Sequence, residues 1–436
     1  MATEGTSFPS GQHVSLWYAR RRPIYTYGNT AQLHCGGAEL FAAMMHAIEN
    51  ARHEIYLATY IFNTDSQAQS IATALSAAAV RGVQVRIVVD GFGSLNTIPT
   101  LNKWWQGYAV AWVVFRPLDR WWAWLQPEHL RRLHLKLCVV DEAVAFVGGI
   151  NIIDDYIDLQ HGVLNAPRLD YAVEVTGPIV APMVQTLKAV WNRAAWGADW
   201  REEVIRVLQG PHPWAYAKAL VRQMRLSMPG SRSLTPEGSA SGASKMAFVW
   251  RDNLRQRHTI ERTLRQAFAQ AQHSIDVVCP YFFPGRRLSQ ALRKAAQRGV
   301  RVRLLMQGQY DYSIAQWAAG AVYTELLASG VKIFEYTPAF LHAKVVCVDD
   351  QWATVGSANI DPLSLWVNYE ANLIVCDAAF IRQLQASIEA AFSASRRIQQ
   401  SQALNGWRRR WLYRGIAVLA RIYLRLSGNR GQEKDY

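Results

Sequence analysis

The sequence predicts an α/β protein made of two similar domains that arose by internal duplication. Three observations carry this reading. Residues 41–62 (FAAMMHAIENARHEIYLATYIF) and 260–283 (IERTLRQAFAQAQHSIDVVCPYFF) each pass from a helix-period segment into a β-branched and aromatic run. A second amphipathic helix follows in both halves and ends on an RGV turn into a strand, RGVQVRIVVDG at 81–91 and RGVRVRLLMQG at 298–308. Each half then carries HxKxxxxD and a Gly-rich turn: HLKLCVVDEAVAFVGGIN at 134–151 and HAKVVCVDDQWATVGSAN at 342–359. The same elements in the same order point to duplicated α/β units.

A chain of 436 residues has room for two such units, and 50% hydrophobic against 18% charged residues marks a core-forming sequence. Residues 227–244 (SMPGSRSLTPEGSASGAS) are rich in Ser, Gly and Pro and lack periodicity, so they read as a linker or surface loop. This places a first domain at 1–226, a second at 245–400 and a separate C-terminal segment at 401–436. The five cysteines are scattered, without metal-ligand spacing, and fit a reducing compartment. No run serves as a signal peptide and none approaches the ~20 apolar residues of a transmembrane helix, so a cytoplasmic location is expected.

In an extended strand alternate side chains share a face, so His134 points with Lys136 and His342 with Lys344. Asp141 and Asp349 complete the two motifs but face the opposite side, where they suit structural support. Asn151, Ser357 and Asn359 follow at the Gly-rich turns. Asp170 and Glu370 are carboxylates placed further along each half. Together these groups describe a phosphate site. Lysine and asparagine donate to non-bridging oxygens and stabilise charge during displacement at phosphorus. One histidine can attack phosphorus while the other protonates the leaving alkoxide and then activates the acceptor. A carboxylate on the remaining ring nitrogen fixes the tautomer, a role suited to Asp170 and Glu370. The lysines supply the positive charge, so the reading needs no metal and no cofactor. The first motif has Gly149 where the second has Ser357, which predicts two inequivalent half-sites. The spacing from Asn151 to Asp170 is also longer than that from Asn359 to Glu370.

These motifs, with DYAVEVTGPIV (170–180), VWRDN (249–253), PYFFPGRRLSQALRKAAQRGVRVRLL (280–305) and WATVGSANIDPLSLWVNYEANLIV (352–375), resemble the phospholipase D superfamily. Within it they are similar to the bacterial cardiolipin synthase family, of the type without N-terminal transmembrane helices. The resemblance spans about residues 30–400. It implies two α/β/α sandwich domains about a pseudo-twofold axis, with both motifs meeting at one cleft. It also implies that His134 is the nucleophile and His342 the general acid/base. The reaction implied is transfer of a phosphatidyl group between two phosphatidylglycerol molecules. A hydrolytic phospholipase D and a family nuclease are the alternatives.

The surfaces favour lipid. A net charge of +14 calls for an anionic partner, and residues 401–436 hold eight Lys/Arg against two Asp/Glu. A helical projection of 407–426 puts Trp407, Trp411, Ile416, Leu419 and Ile422 on one half and Arg410, Arg414 and Arg421 on the other, with Arg425 at the boundary and Arg408 and Leu424 breaking the pattern. That is the composition of an interfacial anchor on anionic lipid, or of a helix packed on the core with a solvated face. FRPLDRWWAWLQPEHLRR (115–132) joins three tryptophans to arginines just before His134, either for the headgroup zone or as a buried aromatic cluster. Phosphatidylglycerol membrane is the expected partner, nucleic acid is not, and the expected place is the cytoplasmic side of the inner membrane.

Overall fold

The computed structural model describes residues 22–118, 131–208, 244–252, 256–308, 323 and 325–399. Most of the tryptophan cluster, nearly all of the 227–244 linker and the 401–436 segment lie outside the described residues.

The first half runs β1 (Tyr25–Cys35), α1 (Gly37–Asn50), β2 (Glu54–Thr59), α2 (Ser66–Val80), β3 (Gln84–Asp90), α3 (Ile98–Trp105), β4 (Val110–Phe115), β5 (Leu137–Val140), β6 (Val144–Gly148), a small hairpin of β7 (Ile157–Asp158) and β8 (Gly162–Val163), β9 (Tyr171–Thr176) and α4 (Val180–Leu208). The second half runs β10 (Ser244–Arg251), α5 (Thr259–Gln270), β11 (Ser274–Val278), α6 (Arg286–Gln297), β12 (Arg301–Gln307), β13 (Lys332–Tyr336), β14 (Val345–Val348), β15 (Trp352–Gly356), α7 (Pro362–Trp366), β16 (Glu370–Cys376), α8 (Ala378–Ser393) and β17 (Arg396–Arg397).

Local chemistry explains these elements. Leu40, Phe41, Met44 and Ile48 recur at helical spacing, and α1 buries that stripe. Asp65 caps α2 by accepting the Ala68 N–H, and Asp377 caps α8 through Phe380. The RGV turns work alike in both halves. Gly82 and Gly299 take φ of 91° and 90°, the left-handed conformation that ends a helix. The preceding Arg81 and Arg298 donate to carbonyls at the ends of the neighbouring helices, Ile48 for Arg81 and Phe268 for Arg298. Strands β5 and β14 are buried throughout, as their unbroken apolar sequences require.

The strands form one sheet of fifteen, ordered β17-β13-β12-β11-β14-β15-β16-β10-β1-β9-β6-β5-β2-β3-β4. From the antiparallel β1–β10 pair outward, both directions meet the same sequence of equivalent strands, with β17 an extra edge strand of the second half. The duplication and its pseudo-twofold arrangement are thus borne out, with the two sheets fused edge to edge rather than packed as separate sandwiches. Helices α1 and α2 cover one face of the first half and α5 and α6 the matching face of the second, each over its own core. Across the opposite face a single core joins α4 and α8 and runs through both halves. The cross-links at the motifs are reciprocal: Leu133 bridges Tyr369, and Leu341 bridges Leu169.

Candidate active site

Each histidine lies in an extended segment just before β5 or β14, outside the regular strand and paired with the other half. The His134 N–H donates to the Tyr369 carbonyl at 3.0 Å, and the His342 N–H to the Leu169 carbonyl at 2.9 Å. Asp90, at the end of β3, accepts the Leu133 N–H, and Gln307, at the end of β12, accepts the Leu341 N–H. Both motif segments are therefore clamped from two sides. Sequence reasoning missed Asp90 and Gln307, although both stand at the same place in the repeated RGV strands.

The imidazoles are held by carboxylates from the opposite half. Nδ1 of His134 lies 3.0 Å from both oxygens of Glu370, and Nδ1 of His342 lies 2.6 Å from Oδ2 of Asp170. The register of β6–β9 and β15–β16 makes Asp170 and Glu370 equivalent, since Gly148 faces Ala172 as Gly356 faces Asn372. The extra residues between Asn151 and Asp170 are taken up by the β7–β8 hairpin, where the second half has only α7. This settles the spacing discrepancy seen in the sequence.

The same register makes Gly149 equivalent to Ser357, and the difference has a steric cause. A Cβ on Gly149 would meet Oδ1 of Asp170 at 2.3 Å. In the second half the Ser357 hydroxyl fills that space and donates to Glu370 at 2.5 Å. Ser357 is fully buried, and its hydroxyl supports the carboxylate behind His134. Ser357, expected as a phosphate ligand, thus directs its hydroxyl proton to Glu370.

Lys136 and Lys344 are buried, and each ammonium donates to the carbonyl of its own motif histidine. Burial pulls Lys136 down to about 7, with Glu370 opposing and Lys344 adding repulsion. Burial lowers Lys344 as well, against Asp170 and Glu370. Both histidines are lowered, first by burial; Lys344 acts on His134 and Lys136 on His342, so the two motifs share one electrostatic site. Burial disfavours the Asp170 carboxylate, but His342 and Lys344 carry it below the usual range.

Asn151 and Asn359 are buried beside the motifs. Asn151 accepts the Ile61 N–H at 3.2 Å through its carbonyl oxygen, and Asn359 accepts the Cys279 thiol at 3.8 Å. In each the amide nitrogen is the end left to donate elsewhere. Asp141 and Asp349 do not join the site. They sit at the far ends of β5 and β14 with φ of 52° and 53°. Asp141 accepts the N–H groups of Arg52, His53 and Glu54, and Asp349 those of Gln272, His273 and Ser274. They fix the turns into β2 and β11.

The sequence matches the model of the cardiolipin synthase, PLD-like domain family over residues 44–165 and 264–392, one match for each half. The chain belongs to this family. Cardiolipin synthase B of Salmonella typhimurium is 36% identical over 366 residues, covering 83% of this chain and 80% of that protein. Cardiolipin synthase B of Escherichia coli (strain K12) is 35% identical over 403 residues, with 91% and 88% covered. Cardiolipin synthase A of Klebsiella pneumoniae (strain 342) is 29% identical over 393 residues, with 89% and 73% covered. The fold of the cardiolipin synthase-like chain is shared with the crystal structure of phosphatidylserine synthase from Haemophilus influenzae Rd KW20. That match has a TM-score of 0.59 at 14% identity and covers 90% of this chain and 93% of that one. Among the described residues no helix is long and apolar enough to cross a membrane.

Proposed function

We propose that the chain makes cardiolipin by transferring a phosphatidyl group between two phosphatidylglycerol molecules through a phosphohistidine. It is a phosphatidyltransferase of the phospholipase D type. The observation that carries the reading is the crossed pairing of His134 with Glu370 and His342 with Asp170. It occupies Nδ1 of both rings and leaves each Nε2 for chemistry beside two lysines.

Nε2 of His134 attacks phosphorus, forming a P–N bond as the P–O bond to glycerol breaks. His342 gives its proton to the leaving alkoxide, and glycerol departs. The terminal hydroxyl of a second phosphatidylglycerol then attacks phosphorus, passes its proton to His342, and the P–N bond breaks. Lys136, Lys344 and the amides of Asn151 and Asn359 stabilise the phosphate oxygens. An anionic phosphodiester between the two ammonium groups relieves their mutual repulsion and favours their charged forms. It also favours the imidazolium that His342 must become. The assignment of His134 as nucleophile rests on the family pattern, because the repeat treats the motifs almost symmetrically.

The membrane is the substrate's own environment, and we place the protein peripherally on its cytoplasmic side. The domain limits 1–226 and 245–400 and the C-terminal anchor at 401–436 belong to the same proposal. Purified protein incubated with phosphatidylglycerol vesicles should yield cardiolipin and free glycerol in equal amounts on chromatography. Phosphatidate as the main product, or DNA cleavage without cardiolipin, would overturn the proposal.

A further inference from the structure

The two half-sites also differ beside the histidine rings, just past β2 and β11. Phe62 bridges Ile152 in the first half as Phe282 bridges Ile360 in the second, so Tyr60 is equivalent to Pro280. The Tyr60 ring meets the His134 imidazole edge-on, with centroids 4.9 Å apart and planes at 63°. The same ring lies under the Lys136 ammonium, 5.4 Å from its centroid. Proline at 280 has neither an aromatic face nor a hydroxyl to offer His342. Exposure follows the difference: the His134 side chain is 12% exposed and that of His342 24%.

The Tyr60 backbone is pinned as well. Its carbonyl accepts the Ser94 hydroxyl at 3.1 Å, and the adjacent Ile61 N–H is held by Asn151. A Cβ on Gly93 would come within 2.3 Å of the Tyr60 carbonyl, so the chain there is as close as glycine permits. The ring thus stands on a pinned backbone as a wall on one side of His134.

We propose that Tyr60 is the positioning residue that distinguishes the nucleophilic half-site from the acid/base half-site, by holding the His134 ring and the Lys136 ammonium and screening the phosphohistidine from water. An edge-on ring contact adds to the restraint that Glu370 places on the second imidazole torsion. The aromatic face favours the charged lysine in a buried setting. The open side, at His342, is where the leaving glycerol exits and the acceptor hydroxyl enters. Transfer rather than hydrolysis follows when the only route to phosphorus is the one a lipid hydroxyl fills.

This inference rests on the two-histidine transfer reading, and the experiment separates the two. Wild type, Y60F and Y60L are assayed on phosphatidylglycerol vesicles for kcat, KM and the ratio of phosphatidate to cardiolipin, with thermal unfolding of each. Y60L should lower kcat by on the order of tenfold or more with KM within about twofold, and should raise the phosphatidate share several-fold. Y60F keeps the ring and should stay within about twofold of wild type in all three. Y60L indistinguishable from wild type, or Y60F falling as far as Y60L at unchanged stability, overturns the role given to the ring. A wild-type protein that makes no cardiolipin defeats instead the transfer reading beneath it.

Discussion

Asp170 reaches across the pseudo-twofold axis to hold His342, 172 positions further along the chain, with Oδ2 2.6 Å from Nδ1. Glu370 does the same for His134 in the opposite direction. Neither half therefore contains a complete histidine–carboxylate pair, and the proposed active unit is the fused pair of repeats.

The first prediction concerns that crossing. D170N and E370Q keep the shape and remove the charge that fixes each tautomer. Each should lower the rate of lipid transfer by roughly 10²-fold or more, as expected for disabling a general acid–base or nucleophilic histidine. Initial rates on phosphatidylglycerol vesicles check this, and a rate above a tenth of wild type in either variant would contradict it.

The second uses the Gly149–Ser357 difference. G149S puts a side chain where Asp170 Oδ1 lies 2.3 Å away, so it should displace Asp170 and impair the His342 side. S357A removes one hydrogen bond to buried Glu370 and should cost about 1 kcal/mol of stability, with a milder loss of rate. Thermal unfolding and initial rates on the two variants should rank them in that order, G149S being the less active.

The third separates support from chemistry. Asp141 and Asp349 each hold three backbone amides, and burial opposes these bonds less than they favour the carboxylate, so both pKa values are lowered. A depressed carboxylate stabilises the fold above its unfolded pKa of about 3.9, and that stability is lost as pH falls through the folded value. D141A and D349A should each lose about 1–3 kcal/mol at neutral pH and progressively less as acid protonates the wild-type carboxylates. Denaturant unfolding at neutral and acid pH reads this, while kcat per folded molecule should change little.

The fourth is a pH profile. Lys136 is brought down to about 7 by burial first and by Lys344 next. Its ammonium is then lost as pH rises through that value, so kcat/KM should fall on an alkaline limb near pH 7. K136R stays charged over the whole range and should move that limb upward, even where its absolute rate is lower.

How far the site could be read from sequence follows from what repeats. The duplication was legible because both copies keep the same helix, RGV turn, strand and HxKxxxxD, and the opposite-face argument already set Asp141 and Asp349 apart from the lysines. Asp170 and Glu370 were found as histidine partners, but their crossing was not, since one-dimensional spacing carries no information about which half lies beside which. The bond from Ser357 to Glu370 was not foreseen, because a hydroxyl next to a phosphate motif looks the same in sequence whether it faces the cleft or a buried carboxylate. Tyr60 and Asp90 went unnoticed because their work depends on the ends of β2 and β3 meeting the segment before β5. The fusion of the sheets through β1 and β10 is likewise a contact between distant strands that no local pattern encodes.

The most direct test of the central claim is to trap the intermediate. Protein lacking the base for the second step, H342A, is mixed with a phosphatidylglycerol analogue carrying a good leaving group, quenched, digested and analysed by mass spectrometry. The account predicts a phosphatidyl adduct on His134, absent from H134A and discharged in wild type by added phosphatidylglycerol to give cardiolipin. An adduct on His342 in the wild-type enzyme with none on His134, or rapid cardiolipin formation by H134A, would contradict it.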